Sequence, residues 1–321
     1  MKKKISLFAA LLMVFLLAGC GRKTTNSDNI TIRVGSLKGP TTIGLVNLME
    51  EAQNGNTDNK YDFKMAAEIS EITAGFAAGD FDIALVPANA AAMLYNKTDG
   101  NAVAININTE GVLYLVTGRD DIKTYADLDG ETIITTGQGA TPEYCINYLN
   151  KLYGVNPQLE FMSEATEVAA RLNSNPQEIA ILPQPFATVV QVQNDKTKAP
   201  FSLSEEWNRK NTEFSMITGV TIVNRDFLEK NEKAVRTFIE EAGESASKAL
   251  ADVETTAALV VKHGIIEKEP IAVKALPKCS IVSITGEEMK KSLEGYLNIL
   301  YNANKKSVGG VLPEADFYYT E

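Results

Sequence analysis

One pattern, met twice, limits what this chain can become: an apolar strand, a glycine-rich turn carrying hydroxyls, and a helix start. In the first copy Ile30-Thr31-Ile32-Arg33-Val34 reads as the strand and Gly35-Ser36-Leu37-Lys38-Gly39-Pro40-Thr41-Thr42 as the turn, with an amphipathic helix over 42–52. In the second copy 132–135 is the strand and Gly137-Gln138-Gly139-Ala140-Thr141-Pro142 the turn. Thr141 is its N-cap and Pro142 its first helical residue, and the helix runs to Tyr153 before Gly154 stops it. Strand–turn–helix units with short connections predict a parallel arrangement with helices on the sheet faces. Such turns lie at the C-terminal strand ends, where an open α/β sheet takes its ligand. A helix start there offers unpaired N–H groups and a partial positive charge to an anionic or hydrogen-bond-accepting group. The same residues also make an ordinary capped turn.

The rest of the chain continues the alternation. Strands are expected over 61–66, 82–86, 102–107, 112–117, 159–162, 179–182 and 216–223, and helices over 69–78, from Ala88 to Tyr95, and over 164–172. Asn108-Thr109-Glu110-Gly111 interrupts one extended stretch, and Pro183-Gln184-Pro185 ends another. The last third is mainly helical. Val235, Phe238, Ile239, Ala242, Ala246, Ala249 and Leu250 share one apolar face, and a shorter helix stops at Gly264 after His263. Thr285 and Glu288 read as a capping box for a helix carrying Met289, Leu293, Leu297 and Leu300. Phe317, Tyr318 and Tyr319 are expected to pack back onto the fold.

At 321 residues the chain exceeds one compact core, so two lobes are expected. Its 41 acidic against 31 basic side chains, a formal charge of −10, argue against nucleic-acid binding. A single histidine, His263, and the lack of clustered cysteines argue against a His/Cys metal centre or a histidine-based triad. No cofactor and no metal are therefore expected. Lys2, Lys3 and Lys4 precede an apolar run, 5–17, too short to span a membrane comfortably, as in a secretory signal. It ends in Leu17-Ala18-Gly19-Cys20, which resembles a bacterial lipobox, whose cysteine is lipid-modified and becomes the first mature residue. That reading makes 1–19 a signal peptide and 20–29 a lipidated tether; an uncleaved anchor helix would also put the domain outside the cell. Cys145 shares a helical stripe with Tyr148, Leu149 and Leu152, and Cys279 lies in a strand-like stretch. Both read as packed free thiols, with a disulfide as the alternative.

The lipobox, the turn from Gly35 to Thr41, Asp82-Ile83-Ala84-Leu85-Val86-Pro87, Ala126-Asp127-Leu128-Asp129-Gly130 and the turn from Gly137 to Pro142 together resemble a solute-binding lipoprotein of an ABC importer. The chain looks most like the nitrate/sulfonate/taurine and thiamine-precursor receptors, over Ile30 to the C-terminus. Glu131 departs from the lysine that many such relatives carry. The resemblance implies a type II periplasmic-binding fold: two Rossmann-like α/β lobes with mixed, mainly parallel sheets joined by a two-strand hinge. It places lobe 1 at 30–109 plus 216–321 and lobe 2 at 110–215, with crossings near Asn108–Gly111 and Ser215–Gly219, where Gly111 and Gly219 suit backbone that bends.

In that fold the strand-end loops face one another across a cleft. Lobe 1 offers Ser36, Lys38, Gly39, Thr41, Thr42 and Asn89, the hinge Asn108, Thr109 and Glu110, and lobe 2 Gln138, Gly139, Thr141 and Gln184, with Ser163 nearby. Tyr95, Tyr114, Tyr144 and Phe186 are candidates for an aromatic wall, and each fits the core as well. Lys38 also fits a solvated turn, and Glu110 a pair across the hinge. The expected ligand is an oxyanion, a sulfonate or a small heterocycle. The expected partners are an ABC permease and, through lipid on Cys20, the outer face of a bacterial cell membrane (the periplasmic side if Gram-negative). A monomer without enzymatic activity is expected. Two other readings are an enzyme on the same fold, such as those of menaquinone or thiamine-pyrimidine biosynthesis, and a lipid-anchored sensor. The lipobox disfavours the enzymes, which work in the cytoplasm, and the cysteine-rich motif of the pyrimidine synthase is absent.

Overall fold

The computed structural model describes residues 30–321, so the stretches read as signal peptide (1–19) and tether (20–29), Cys20 included, lie outside the described residues. Strands β1 (Thr31–Leu37), β2 (Lys60–Ala66), β3 (Ile83–Pro87), β4 (Ala102–Glu110), β9 (Ile217–Asn224) and β10 (Ile281–Ile284) form a six-stranded sheet in the order β10-β4-β9-β3-β1-β2. Strands β5 (Leu113–Thr117), β6 (Thr132–Thr136), β7 (Gln158–Met162) and β8 (Ile179–Pro183) form a four-stranded sheet in the order β5-β8-β6-β7. Both are mixed. β1 runs parallel to β3 with Val34 opposite Ile83, whereas β9 is antiparallel to β3 and β4. In the smaller sheet β6 is parallel to β7 and β8, and β5 is antiparallel to β8. Ile83, Ala84, Leu85 and Val86 are all fully buried, because helices cover both faces of the sheet at that point.

The helices explain which turns are open to a ligand. The stretch read as one helix over 42–52 is two, α1 (Pro40–Ile43) and α2 (Val46–Gln53). The break has a distant cause: the Ser245 hydroxyl donates to the Gly44 carbonyl at 2.6 Å and accepts from the Leu48 N–H at 3.0 Å. Ser245 comes from a helix two hundred residues downstream in sequence, so the local pattern does not reveal the break. Next come α3 (Ile69–Ala78), closed by Gly79 in the left-handed region, and α4 (Ala88–Lys97). α5 (Thr141–Tyr153) begins one residue earlier than expected: Ala140 is its N-cap, with no side-chain cap, and Thr141 is already helical. α6 (Ala165–Ser174), α7 (Phe186–Gln193) and α8 (Leu203–Lys210) complete the smaller sheet's surroundings, the last two in a region to which the sequence reading assigns no element.

The C-terminal third holds α9 (Arg225–Ala251), α10 (Val253–Lys262), α11 (Glu269–Ala275) and α12 (Gly286–Ala303). Val235, Phe238, Ala246 and Ala249 of α9 are buried as expected, but Leu250 is 46% exposed. Thr285 caps α12 with backbone only, and the expected capping box with Glu288 does not form. Phe317 and Tyr318 are buried, and the Tyr319 N–H donates to the Ala104 carbonyl, so the tail packs back beside β4. Cys145 and Cys279 are both free and buried, and burial pushes each thiol up to about 12. Cys279 ends a short 3-10 turn rather than a strand. Glu131 receives a forked bond from Arg119 at 2.7 and 2.9 Å, a local partner for the departure from lysine.

The chain passes between the sheets after Glu110, through Gly111 and Val112, and again just before β9. Asn108, Thr109 and Glu110 do not interrupt β4 but complete it, paired along β9. Glycine is required where the two passages touch. A Cβ on Gly111 would overlap Ser204 Oγ and stand 2.8 Å from Met216 Cβ; one on Gly219 would overlap Asn108 Oδ1 and stand 2.6 Å from Thr41 Cγ2. Among the described residues no helix is long and apolar enough to cross a membrane.

Candidate functional site

Between the two sheets lies a cavity of about 840 Å³, within the range that holds a small molecule. Its walls come from both sides. Pro87 and Asn89 arrive from the end of β3 and the start of α4, and Thr136, Thr141 and Pro142 from the end of β6 and the start of α5. Val112, Leu113, Met216 and Thr218 come from the two passages. Strand ends from both sheets thus converge on one space, the geometry in which open α/β folds bind ligands.

The lining is mainly apolar. Its polar exceptions share a property: the side chains of Asn89, Thr136, Thr141 and Thr218 form no hydrogen bond to any other described residue. The exposed Ser70 hydroxyl and Lys97 ammonium at the rim are likewise unengaged among the described residues, whereas other polar groups at the wall have partners. Thr73 donates to the Ile69 carbonyl, and the Asn96 amide donates to the carbonyls of Val308 and Val311. One side is closed by a contact that joins α5 to α12. The Cys145 sulfur and the Tyr296 hydroxyl lie 3.3 Å apart, and burial holds the Tyr296 phenol well above its ordinary range. Beside it the Asn304 amide donates to the Tyr144 hydroxyl, which donates to the Gly139 carbonyl.

Of the residues expected to bind ligand, the structure brings Asn89 and Thr141 together at this cavity. It places the others elsewhere. Ser36, Thr41 and Thr42 are buried, and both threonine hydroxyls donate to the Leu37 carbonyl. Gly39 is the backbone cap of α1, and the exposed Lys38 points its ammonium toward Gly264, just past the end of α10. Asn108 donates to the Thr221 hydroxyl, and the buried Thr109 donates to Asn108 Oδ1. Glu110 is half-buried at the end of β4; loss of water raises its carboxyl above the ordinary value, Glu288 adds to this and a bond from Ser215 opposes it. Gln138 and Gly139 are exposed, and the Gly139 N–H donates to the Glu143 carboxylate at 2.5 Å. Gln184 is buried: its Oε1 accepts from Thr188, and its Nε2 has no partner among the described residues.

None of the four aromatic candidates lines the cavity. Tyr95 donates to Asp316, Tyr114 donates to the Lys278 carbonyl, and Tyr144 and Phe186 pack in cores. The aromatic that does is Tyr296, which the sequence disguises by placing it on the Met289–Leu293–Leu297 stripe of α12. Thr136 and Thr218 carried a weak signal, the first just before a glycine-rich turn and the second inside an expected crossing. Among the described residues no group of three or more His, Cys, Asp and Glu could hold a metal ion.

No protein-family model and no curated protein matches the chain. Solved structures do. An ABC transporter from Parabacteroides distasonis is 24% identical, with 92% of this chain and 100% of that one covered and a TM-score of 0.77. The ligand-binding component of an ABC-type import system from Staphylococcus aureus, solved with zinc bound, is 14% identical over 91% and 96% of the two chains, with a TM-score of 0.66. The periplasmic aliphatic sulphonate binding protein SsuA from Escherichia coli is 13% identical over 86% and 93%, also with a TM-score of 0.66. The chain has the α/β fold of the type II periplasmic binding proteins, with two mixed sheets and a cavity between them.

Proposed function

We propose that this protein is an extracytoplasmic, lipid-anchored receptor that captures a small molecule between two lobes and delivers it to an ABC permease. The lobes are 30–109 with 216–321, and 110–215. The observation that carries the reading is the cavity between the sheets, where Asn89, Thr136, Thr141 and Thr218 from four separate segments present unused hydrogen-bonding groups. Groups held ready in this way, part-exposed to the cavity, can exchange water for a ligand that pairs with them. Structural neighbours that are an ABC transporter and the ligand-binding component of an ABC-type import system support the role, and so does the Leu17-Ala18-Gly19-Cys20 motif. Binding here needs no bond chemistry, only closure around the ligand.

A thermal-shift screen of oxyanions, sulfonates, pyrimidines and amino acids tests the binding role, and a saturable rise in melting temperature with at least one compound is expected. A flat response across all four classes counts against a receptor. Anchoring is tested separately. Cys20→Ser should release the protein from membranes or leave it as unprocessed precursor; mature Cys20→Ser protein that stays bound through a carbonate wash overturns the anchor.

A further inference from the structure

We infer that the cavity selects an uncharged, largely apolar molecule with an amide- or hydroxyl-like edge, and not an oxyanion or a sulfonate. The inference rests on the receptor reading above and names the class of ligand. It comes from which charges reach the cavity and which do not.

A buried anion needs a cation or a set of free N–H groups; without them, transfer from water into an apolar site is prohibitive. Of the side chains lining the cavity only Lys97 carries a formal charge, and it is exposed at the end of α4. The walls beside the hydrogen-bonding groups are Leu94, Val112, Leu113, Pro183, Met216 and Tyr296.

Both turns that could cradle an anion have donors engaged internally. In the first, the Lys38 N–H donates to Ala66, the Thr42 N–H to Gly39, and the Thr41 and Thr42 hydroxyls to Leu37, while the Lys38 ammonium lies beside Gly264. In the second, the Gly139 N–H is taken by the Glu143 carboxylate, which sets a negative charge two residues from Thr141, where an anion would have to sit. The formal charge of −10 adds a long-range field that repels anions. What remains is a mainly apolar volume edged by the Asn89 amide and the hydroxyls of Thr136, Thr141 and Thr218, with Ser70 and Lys97 exposed at its rim. That set matches a neutral ring or chain bearing a lactam, carboxamide or hydroxyl, since each of the four groups donates and accepts without charge.

The test titrates the full-length protein by calorimetry with nicotinamide, benzamide and thymine as neutral probes, and with methanesulfonate, sulfate and phosphate as anionic ones. Saturable binding is expected with at least one neutral probe and with none of the anions. Asn89→Ala and Thr218→Val, the second nearly isosteric, should each weaken that binding about tenfold while melting near wild type. An anion that binds saturably, weakened by Lys97→Ala, overturns the ligand class and leaves the receptor intact. A neutral probe whose affinity neither Asn89→Ala nor Thr218→Val alters overturns the assignment of the site. Binding by none of the six, to their solubility limits, overturns the ligand class; the receptor reading falls only if the four-class thermal-shift screen is flat as well.

Discussion

Glu110 shows how a single residue near the crossing trades stability for position. Its carboxyl sits at the end of β4, half out of water, and burial raises its pKa above the ordinary 4.5, with Glu288 adding like charge. A raised folded-state pKa means that the folded chain takes up this proton more readily than the unfolded one. The associated stability is fully present below the unfolded value and is lost as pH rises through the folded value. At about pH 7 the carboxylate therefore weakens the fold. Glu110→Gln should melt above wild type there, and the gap should close as pH is lowered to about 4, near the unfolded value. Melting curves at both ends of that range decide it, and a mutant that melts lower at neutral pH would mean that the Ser215 bond outweighs burial. At this scale the sequence reveals residue type better than residue role. Asn89 and Thr141 were legible as cavity residues because each opens a helix after a strand. Thr41 and Thr42 looked the same, and only the three-dimensional position of the Leu37 carbonyl shows that their hydroxyls are engaged.

Among elements, α8 is the short helix that ties the core to the cavity. It carries Trp207, fully buried, whose indole N–H donates to the Phe214 carbonyl and whose ring lies 5.9 Å from Tyr296. Eight residues cannot hold a helix by propensity alone, so its cap matters. Ser202 Oγ accepts from the Glu205 N–H at 3.1 Å, and the Glu205 carboxylate accepts in return from the Ser202 N–H at 3.3 Å. Ser202→Ala should cost about 1 kcal/mol. For a chain of this size that lowers the melting temperature by roughly 1.5 °C. Urea unfolding measures it, and an unchanged midpoint would show that packing of Trp207 alone holds the helix. The capping box was present in the sequence, but α8 is mostly polar and offers no apolar stripe to mark it. Strands were legible wherever both faces are covered, as in Ile83–Val86, because continuous burial leaves a continuous apolar run. The break between α1 and α2 was not, since Ser245 reaches it from α9.

For the whole molecule the repeated strand–turn–helix pattern was enough to foresee two α/β sheets, and the remaining question is whether they move. The sheets are connected by two passages that touch at Gly111, and further contacts bridge them: Cys145 to Tyr296, Asn304 to Tyr144, and Tyr114 to Lys278. Between these contacts the cavity remains, so closure requires the strand ends at Asn89 and Thr141 to approach while the glycine passages flex. A chain of this length has a radius of gyration of about 20 Å when fully compact. A ligand at saturating concentration should therefore lower the measured radius toward that value in small-angle scattering. Trp207, the protein's one tryptophan, supplies a second readout, because Tyr296 both contacts it and lines the cavity. The two signals separate two mechanisms. A fluorescence change with a smaller radius means that the lobes close on the ligand. A fluorescence change at constant radius means that the ligand fills a rigid pocket, and a hinged receptor is then the wrong description of this fold.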